Sequence, residues 1–366
     1  MVNTGYRQSL YFGNETNYGS AAVINQPIGL VQSINPTETN NLMKVRTLGG
    51  SRDYSNIVAG KFEVSGSFDY YLQGGNFLRM AMGEDTGTSA TIDSGPRVHS
   101  GASYLHIMGS AASPQTDSFP SFTLELADAE DSGAAVDTAN LKRLFTGCRV
   151  NTASLSATVD EPVSVSVDWI GQSVTMSTAA ATSVSDSTKD PYVFYQGAVY
   201  STSGAVSAYT DLTSYGTQAL CQVNSLDFSV NNNLEATWYI SGTCSVYQTL
   251  RGLKHLIVKG RDYEASLGLH FKNKSQYQRF LGAASATTPQ ATLGKFQIVT
   301  DFARSSYPGA TPKAATDDYI RIVMASCAFD TENITGAPED IVNESIGVFV
   351  KSAKVYVVDT DADYKA

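Results

Sequence analysis

The stretch 59–83, AGKFEVSGSFDYYLQGGNFLRMAMG, contains signals for both a strand and a helix, because it alternates like a β-strand and then takes up helical spacing. From Lys61 to Leu72 the large apolar side chains that begin with Phe62 fall on one side of an extended chain, and Lys, Glu, Ser and Asp fall on the other. Phe77, Met80 and Ala81 then follow at helical spacing, and Gly83 is a typical helix stop. The stretch therefore predicts a half-buried strand followed by one short helix.

The same order of features returns at 259–283, KGRDYEASLGLHFKNKSQYQRFLGA. A shift of 201 residues pairs Phe62 with Tyr263, and a shift of 200 pairs Arg79 with Arg279. Ser275 and Gln278 have the spacing of a capping box, and Gly282 ends the second helical segment. Upstream, LVQSINPTETNNL at 30–42 matches QVNSLDFSVNNNL at 222–234 at a shift of 192, and a weaker link pairs Cys148 with Cys327. These matches predict an internal duplication.

Alternation of period two covers most of the remaining chain, so we expect a mainly β protein with one short α-helix per half. Further predicted strands lie at 122–126, 226–230, 263–271, 296–302, 319–324 and 346–350, and a hairpin turns at 160–162. We predict two tandem domains of the β-sandwich or half-barrel type. The predicted segments are an N-terminal arm at 1–21, a first domain at 22–173, a Ser/Thr/Ala linker or loop at 174–190, a second domain at 191–358 and an acidic C-terminal tail at 359–366.

Composition excludes several functional classes. Charged residues make up 16 % of the 366 positions and the formal net charge is −10, so the chain lacks an overall basic footprint for gripping nucleic acid. The four cysteines have no C-x-x-C spacing, and we expect free, mostly buried thiols. Neither a signal peptide nor a long apolar span is apparent, so we expect a soluble protein made in the cytoplasm, with no membrane insertion.

Catalytic and metal-binding patterns are absent from the sequence, so we predict no enzymatic activity and no cofactor. The histidines (His99, His106, His255 and His270) form no H-x-x-x-H or H-x-H group, and there is no Walker A, G-x-S-x-G or G-x-G-x-x-G motif. DTDADY at 359–364 opens like a calcium loop but lacks the sixth-position Gly, so we interpret it as a solvated acidic tail.

Several of these segments together resemble the tail tube proteins (major tail proteins) of tailed bacterial and archaeal viruses, in the type with two tube domains. The resemblance covers most of 17–283. In chain order, it runs through TNYGSAA, LGGSRDYSNIVAGKFEVSGSFDYYL, FTGCRVNTASLSATVDEPVSVSVDWIGQ, VNSLDFSVNNNLEATWYISG and LRGLKHLIVKGRDYEASLGLHFKNKSQYQRFLG. Its most specific part is Gly-Cys-x-Val-Asn at 147–151, followed by a hairpin that ends in Asp-Trp-Ile-Gly at 168–171. The chain departs from the family pattern in a long Ser/Thr insert around 174–220 and an extended C-terminal third.

The resemblance implies a structural virion protein that assembles into stacked rings, with three chains supplying six tube domains in pseudo-sixfold symmetry. It further implies a virion-tail location after assembly in the host cytoplasm, and a tape measure protein and tail terminator or tip proteins as partners. If each domain lends about four strands to a common barrel, about 24 strands give a backbone diameter of about 48 Å and a bore of about 35 Å. Double-stranded DNA would pass through such a bore without sticking.

Basic residues are clustered in the loops that precede the two matching strands. Lys and Arg are absent from 98–141 and from 190–250. We therefore predict that acidic side chains face the bore and that the two loops contact a neighbouring ring, with the loops being merely solvated as the alternative. The candidate ring-to-ring residues are Lys44, Arg46, Arg52, Asp53, Tyr54, Arg251, Lys254, Lys259 and Arg261. An adhesin-like or carbohydrate-binding β-sandwich remains the alternative to a tube protein.

Overall fold

The computed structural model describes residues 8–50, 52–83, 104–109, 119–129, 139–179, 181–207, 212, 218–220, 222–239, 251–304, 318–338, 340–361 and 364. The fold is mainly β, as predicted. The strands are β1 (Gln8–Asn14), β2 (Gln26–Pro27), β3 (Leu30–Thr39), β4 (Met43–Val45), β5 (Asn56–Val58), β6 (Glu63–Tyr71), β7 (Tyr104–Gly109), β8 (Phe122–Ala129), β9 (Ala139–Thr158), β10 (Ser164–Gly171), β11 (Ser173–Ser177), β12 (Gly197–Thr202), β13 (Gln218–Ala219), β14 (Val223–Asn231), β15 (Glu235–Thr237), β16 (His255–Ile257), β17 (Asp262–His270), β18 (Phe296–Ala303), β19 (Tyr319–Thr335), β20 (Asn343–Val350) and β21 (Ser352–Asp359). The helices are α1 (Leu78–Met82) and α2 (Ser275–Phe280).

Eight antiparallel strands form a central sheet that runs through both halves of the chain. Their order is β3–β6–β10–β9–β14–β17–β20–β19. The pairing of β9 with β14, from Ser225 opposite Thr158 to Asn231 opposite Thr152, joins the first four strands to the last four. We call this pairing the internal junction.

The same pairing order occurs twice. The first set of strands, β1–β11, gives the central order β3–β6–β10–β9 and a flanking sheet β2–β1–β8–β9–β11. The second set, β12–β21, gives the central order β14–β17–β20–β19 and a flanking sheet β13–β12–β18–β19–β21. β7 is the exception, because it follows α1 in the chain yet pairs with β21 of the second set.

The long strands β9 and β19 each belong to both a flanking and a central sheet. β9 pairs with β8 and β11 up to Cys148 and with β10 from Arg149 onward. β19 pairs with β18 up to Cys327 and with β20 from Ala328 onward. Just before each change the backbone turns left-handed, at Gly147 (φ 65°) and at Ser326 (φ 54°). The chain therefore bends at equivalent points of the two sets.

The core lies between the central sheet and the flanking sheets. Along β17, Tyr263, Ala265, Leu267 and Leu269 are buried, whereas the intervening side chains are exposed or partly exposed. In the first set, the Phe77 ring at the start of α1 lies 5.0 Å from the Phe12 ring and 5.2 Å from the Phe68 ring. The helix thus packs between the two sheets.

The predicted helices, strands and hairpin are confirmed. Both helices lie where their spacing placed them, and every alternating stretch named above forms a strand. The chain reverses between β9 and β10 with Ser164 opposite Ser156, and Asp160 in the turn has φ 66°. The predicted capping box is wrong, because Lys274 occupies the N-cap of α2 and the Asn273 side chain accepts from the Ser275 N–H.

Three predicted segments differ in the structure. The predicted arm includes β1, which pairs with β8 along its whole length. The predicted linker begins inside β11, where Val174 pairs with Phe145. The tail is not simply solvated, because Asp359 ends β21 and both its side chain and that of Tyr364 are buried; residues 362 and 363 lie outside the described part.

The shift between the two matching strands is 199 residues rather than 201. Gly171 lies opposite Val64, and Val350 lies opposite Tyr263, at the same position of β10 and β20. Val64, not Phe62, is therefore the counterpart of Tyr263. The shift of 192 agrees with the structure, because irregular pairing falls between Val31 and Ser33 in β3 and between Val223 and Ser225 in β14.

The thiol prediction is confirmed for the cysteines that the structure describes. Cys148 and Cys327 are free and buried, and each lies opposite the first residue of the preceding strand, Phe122 or Phe296. Burial raises the pKa of both thiols. Cys221, Cys244, Arg97 and His99 lie outside the described residues.

Candidate assembly surfaces

The central sheet has two lateral edges that nothing in the described part of the chain covers. At one edge β3 pairs only with β6, and at the other edge residues 328–335 of β19 pair only with β20. Leu30 and Ile334 are exposed on these two strands. Such edges offer a row of backbone donors and acceptors to another strand, and a monomer that kept them open would be prone to pair with other copies. They are candidate surfaces for lateral assembly.

The face of the central sheet that points away from the core is polar and lacks Lys and Arg at its central positions. We call it the open face. Its central positions are Ser33, Asn35, Thr37, Thr39, Ser65, Ser67, Asp69, Thr152, Ser154, Ser156, Ser164, Ser166, Asp168, Ser225, Asp227, Ser229, Asp262, Glu264, Ser266, Gly268, Thr331, Asn333, Thr335, Asn343, Ser345 and Gly347. Apolar side chains appear on this face toward the strand ends, as at Ile170 and Phe349.

Hydroxyl groups on the open face hydrogen-bond to neighbouring carboxylates. Ser33 donates to Asp69 at 2.5 Å, and Thr152 donates to Asp168 at 2.6 Å. In the second set, Ser266 donates to Asp227 at 3.1 Å. The acidic side chains are held within a layer of short polar groups, so the face is smooth and negative.

Between β3 and β6, and again between β14 and β17, the chain forms a small hairpin beside the central sheet. The first hairpin, β4–β5, carries five of the candidate ring-to-ring residues. The Arg46 guanidinium lies 4.5 Å and the Lys44 ammonium 5.1 Å from the centre of the Tyr54 ring. These side chains and Arg52 are exposed, as are the apolar Leu48 and Ile57 nearby.

The second hairpin, β15–β16, contacts the first set of strands. Arg251 donates to the backbone carbonyl of Gly60 at 2.7 Å and to the Asn40 side chain at 2.9 Å. The backbone N–H of Phe62 donates to the Arg251 carbonyl at 2.9 Å. The Arg149 guanidinium donates to the Leu256 carbonyl at 2.9 Å. The second basic loop is therefore engaged within its own chain.

The other candidates on this side are also involved in contacts within the chain. Lys254 is only 3 % exposed, and Lys259 forms an ion pair with Glu235. Arg261 donates to the Asn232 side chain at 2.7 Å and to the Met82 carbonyl at the end of α1 at 2.9 Å. A cation at a helix C-terminus is favourable, so Arg261 stabilises the fold.

The sequence analysis did not identify the asparagines that anchor these loops. Asn232 is fully buried and its amide donates to the carbonyls of Ala81 and Val150, both at 3.1 Å. Asn41 (φ 42°) and Asn233 (φ 47°) adopt the left-handed conformation and donate to the Glu63 and Asp262 carboxylates. Their signal was present in the repeated Asn-Asn pairs at 40–41 and 232–233, since Asn tolerates positive φ better than most residues.

The described residues do not form a metal centre. No group of three or more His, Cys, Asp or Glu side chains is placed to hold a metal ion there. One cavity, of about 440 Å³, is lined by the Lys189–Asp318 ion pair and by Asp359 and Tyr364. Across the same residues, no helix has the length and apolarity needed to cross a bilayer.

A mainly β chain with two open sheet edges and an acidic face of short polar side chains has the features of a structural protein that assembles through its sheet edges. The chain matches the family model described as phage tail tube protein over residues 5–341, and it belongs to that family. It is accordingly a structural protein of the virion tail, and its family is not an enzymatic one. No curated protein matches the chain.

Proposed function

We propose that three copies of this chain close head to tail into a ring with pseudo-sixfold symmetry. The observation that carries the proposal is the central sheet, whose first and last four strands have the same pairing order and whose two outer edges are open. In this proposal β1–β11 and β12–β21 are two tail tube domains. Head-to-tail contacts form a closed ring when the rotation from one copy to the next brings the last copy back to the first. Three sheets of eight strands then give the 24-stranded barrel.

The open face of the central sheet would line the bore. With strands about 4.8 Å apart and tilted by about 40°, the barrel leaves a bore of about 35 Å, which admits double-stranded DNA. Cationic walls bind DNA by releasing its counterions, whereas a wall of hydroxyl and carboxylate groups does not. We propose that the genome passes through this bore into the host cell.

Rings would stack through the first hairpin. Lys44, Arg46 and Asp53 remain our candidates for contacts with the next ring, together with Lys259, whereas we assign Arg52 and Tyr54 to the contact between copies within one ring. We do not propose Arg251, Lys254 and Arg261 for this contact, because the Lys254 side chain is buried and the two arginines are hydrogen-bonded within the chain. We further propose assembly in the host cytoplasm, with a tape measure protein and tail terminator or tip proteins as partners.

Electron microscopy of the purified chain tests the proposal. We expect hollow tubes whose cross-section shows six similar wall segments made by three chains. Mass measurement of the smallest ring should give three chains. Discrete monomers that bind a glycan array would instead support the adhesin-like alternative.

A further inference from the structure

We infer that the junction between two copies repeats the internal junction, so that β3 of one copy pairs with β19 of the next, with Thr37 opposite Asn333 and Arg52 in the role of Arg251. The inference rests on the proposed ring, and it specifies which residues meet. Its partner is a second copy of this chain.

The register follows from equivalent strand pairs within the chain. Ser166 of β10 and Ser345 of β20 occupy equivalent positions. Ser166 lies opposite Ser154 of β9, and Ser345 lies opposite Asn333 of β19, so β9 maps onto β19 at a shift of 179. The pairing skips one residue just before Ser33 in β3 and one residue just before Ser225 in β14, so β3 maps onto β14 at a shift of 192.

Applying both shifts to the internal junction gives the register between copies. Ser229 lies opposite Ser154 in the internal junction. The equivalent of Ser229 in β3 is Thr37, and the equivalent of Ser154 in β19 is Asn333. Asn231 lies opposite Thr152. Their equivalents are Thr39 in β3 and Thr331 in β19, respectively. Side chains at these positions lie on the open face, so the polar lining continues across the joint without a change of face.

The hairpins provide an independent argument from burial. Leu256 and Leu253 of the second hairpin are 0 % and 1 % exposed. Their equivalents in the first hairpin, Ile57 and Tyr54, are 58 % and 43 % exposed. The second hairpin packs against the strands that precede it in the sheet. β3 is the first strand of that sheet, and no described part of the same chain lies beyond it. The second set of another copy is the surface that would cover Ile57 and Tyr54.

Arg52 is the equivalent of Arg251 at the same shift of 199 that relates β5 to β16 and β6 to β17. Arg251 binds Asn40 and the carbonyl of Gly60 across the internal junction. Arg251 also donates to the backbone carbonyl of Asn40, so the corresponding acceptors for Arg52 are the backbone carbonyls of Asn232 and Lys259 in the next copy.

An asparagine contact in the opposite direction strengthens the correspondence. Asn232 donates across the internal junction to the Val150 carbonyl. Its equivalent is Asn40, and the equivalent of Val150 is Phe329 on the free part of β19. The Asn40 amide would therefore donate to the Phe329 carbonyl of the next copy.

Paired cysteine substitutions test the register. A chain carrying Thr37→Cys and Asn333→Cys, treated as assembled tubes with a thiol reagent of short spacer, should give covalent dimers and trimers on a denaturing gel. The matched control, Thr37→Cys with Thr335→Cys, keeps the same face but moves one partner by two residues, and should link far less. The single substitutions measure the background from the four native cysteines.

Efficient linkage only in the shifted control, or no linkage in tubes that form normally, would overturn the register and leave the tube function standing. A wild-type chain that forms no tubes would instead overturn the proposed function.

Two arginine substitutions in the same hairpin separate ring closure from ring stacking. Arg52→Ala should weaken each junction between copies about tenfold, as expected for losing a contact of about 1.4 kcal/mol, so ring formation should need more protein and monomers should remain in solution. Arg46→Ala should instead leave intact rings that stack poorly. Monomer melting curves identical to wild type show that both variants fold. Rings of Arg52→Ala that form at the wild-type concentration contradict the assigned contact.

Discussion

At the scale of single residues, two positions show how the same bend is made with different chemistry. Gly147 and Ser326 occupy equivalent places in β9 and β19, and both have positive φ. Glycine adopts this conformation without strain, whereas a residue with a Cβ loses about 1–2 kcal/mol. A Cβ on Gly147 would lie 2.6 Å from the Cβ of Gln172, so the first site excludes a side chain on packing grounds as well.

Opposite substitutions at the two bends should change the stability of the fold in opposite directions. Ser326→Gly should raise the free energy of unfolding by up to about 1 kcal/mol. The relief of backbone strain in the folded chain should outweigh the extra conformational entropy that glycine gives the unfolded chain. Gly147→Ser should lower it by at least about 1 kcal/mol, from strain together with the clash at Gln172. Urea unfolding of the monomer measures both. A destabilised Ser326→Gly variant would show that the Ser326 side chain makes a compensating contact.

Glu332 on the free edge of β19 makes the stability of the monomer depend on pH. Burial, and after it the neighbouring Glu344 carboxyl, raises the pKa of Glu332 from 4.5 to about 8. The folded chain therefore binds more protons than the unfolded chain between these values, so this group lowers stability as pH rises from about 4.5 to about 8. Glu332→Gln should remove that loss, raising Tm at pH 8 with little change at pH 4.5. Glu161→Gln, in the exposed turn before β10, is the matched control; equal Tm gains in both variants would contradict the assignment.

The error in the predicted shift between β6 and β17 also belongs to this scale. Moving a strand by two residues keeps every side chain on its own face, so alternation cannot distinguish a shift of 199 from one of 201. Phe62 and Tyr263 matched in type as well as in face. Only the hydrogen-bonded partners, Gly171 opposite Val64 and Val350 opposite Tyr263, fix the register.

At the scale of elements, the C-terminal segment holds β7 onto the second set of strands. The Tyr364 ring stacks on His106 of β7 with centroids 3.6 Å apart, and its hydroxyl donates to Asp359. Its backbone carbonyl accepts from Asn14 at 2.9 Å and from Arg79 at 2.7 Å. This segment thus ties together β1, α1, β7 and β21.

Tyr364→Ala should lower the free energy of unfolding by about 3 kcal/mol, the usual effect of removing a buried aromatic ring. Hydrogen exchange should show the largest loss of protection in β7, because that strand depends on the stacked ring at His106. Thr360→Ala, at an exposed position of the same segment, is the control and should change little. Unchanged exchange in β7 would show that its pairing with β21 suffices.

Which elements the sequence revealed depends on how local their signals are. Both helices were predicted because aromatic spacing and a terminal Gly are contained within ten residues. The hairpins β4–β5 and β15–β16 were missed because three-residue strands are too short to show alternation. The tail was misjudged because its acidic composition suggested solvation, whereas its partner His106 lies more than 250 residues away in sequence.

At the scale of the whole molecule, the repeated pairing order produces one central sheet to which strands of other copies can be added at both edges. The sequence indicated two similar halves, but not that β9 and β14 would join them into one sheet. That joint depends on pairing between residues about 70 positions apart, which alternation alone does not specify. Once it is formed, the internal junction is a template for contacts between copies.

The acidic open face leads to a prediction about the assembled tube. Asp168→Lys with Asp227→Lys changes two exposed positions near the middle of the central sheet and should leave folding and assembly intact. Each ring of three chains would then present six lysines to the bore. Because lysines that neutralise phosphates release counterions, such tubes should retain DNA, and the retained amount should fall steeply with salt.

The measurement is made on tubes assembled with duplexes of about 50 base pairs, treated with nuclease at low and high salt. The bore variant should protect DNA at low salt and release it at high salt, whereas wild-type tubes should protect little. Glu161→Lys with Asp340→Lys places the same added charge on exposed turns outside the central sheet. DNA bound by that control should stay sensitive to nuclease, because the added charges lie outside the sheet that is proposed to line the bore. If both variants protect DNA equally, or neither does, the open face does not line the bore.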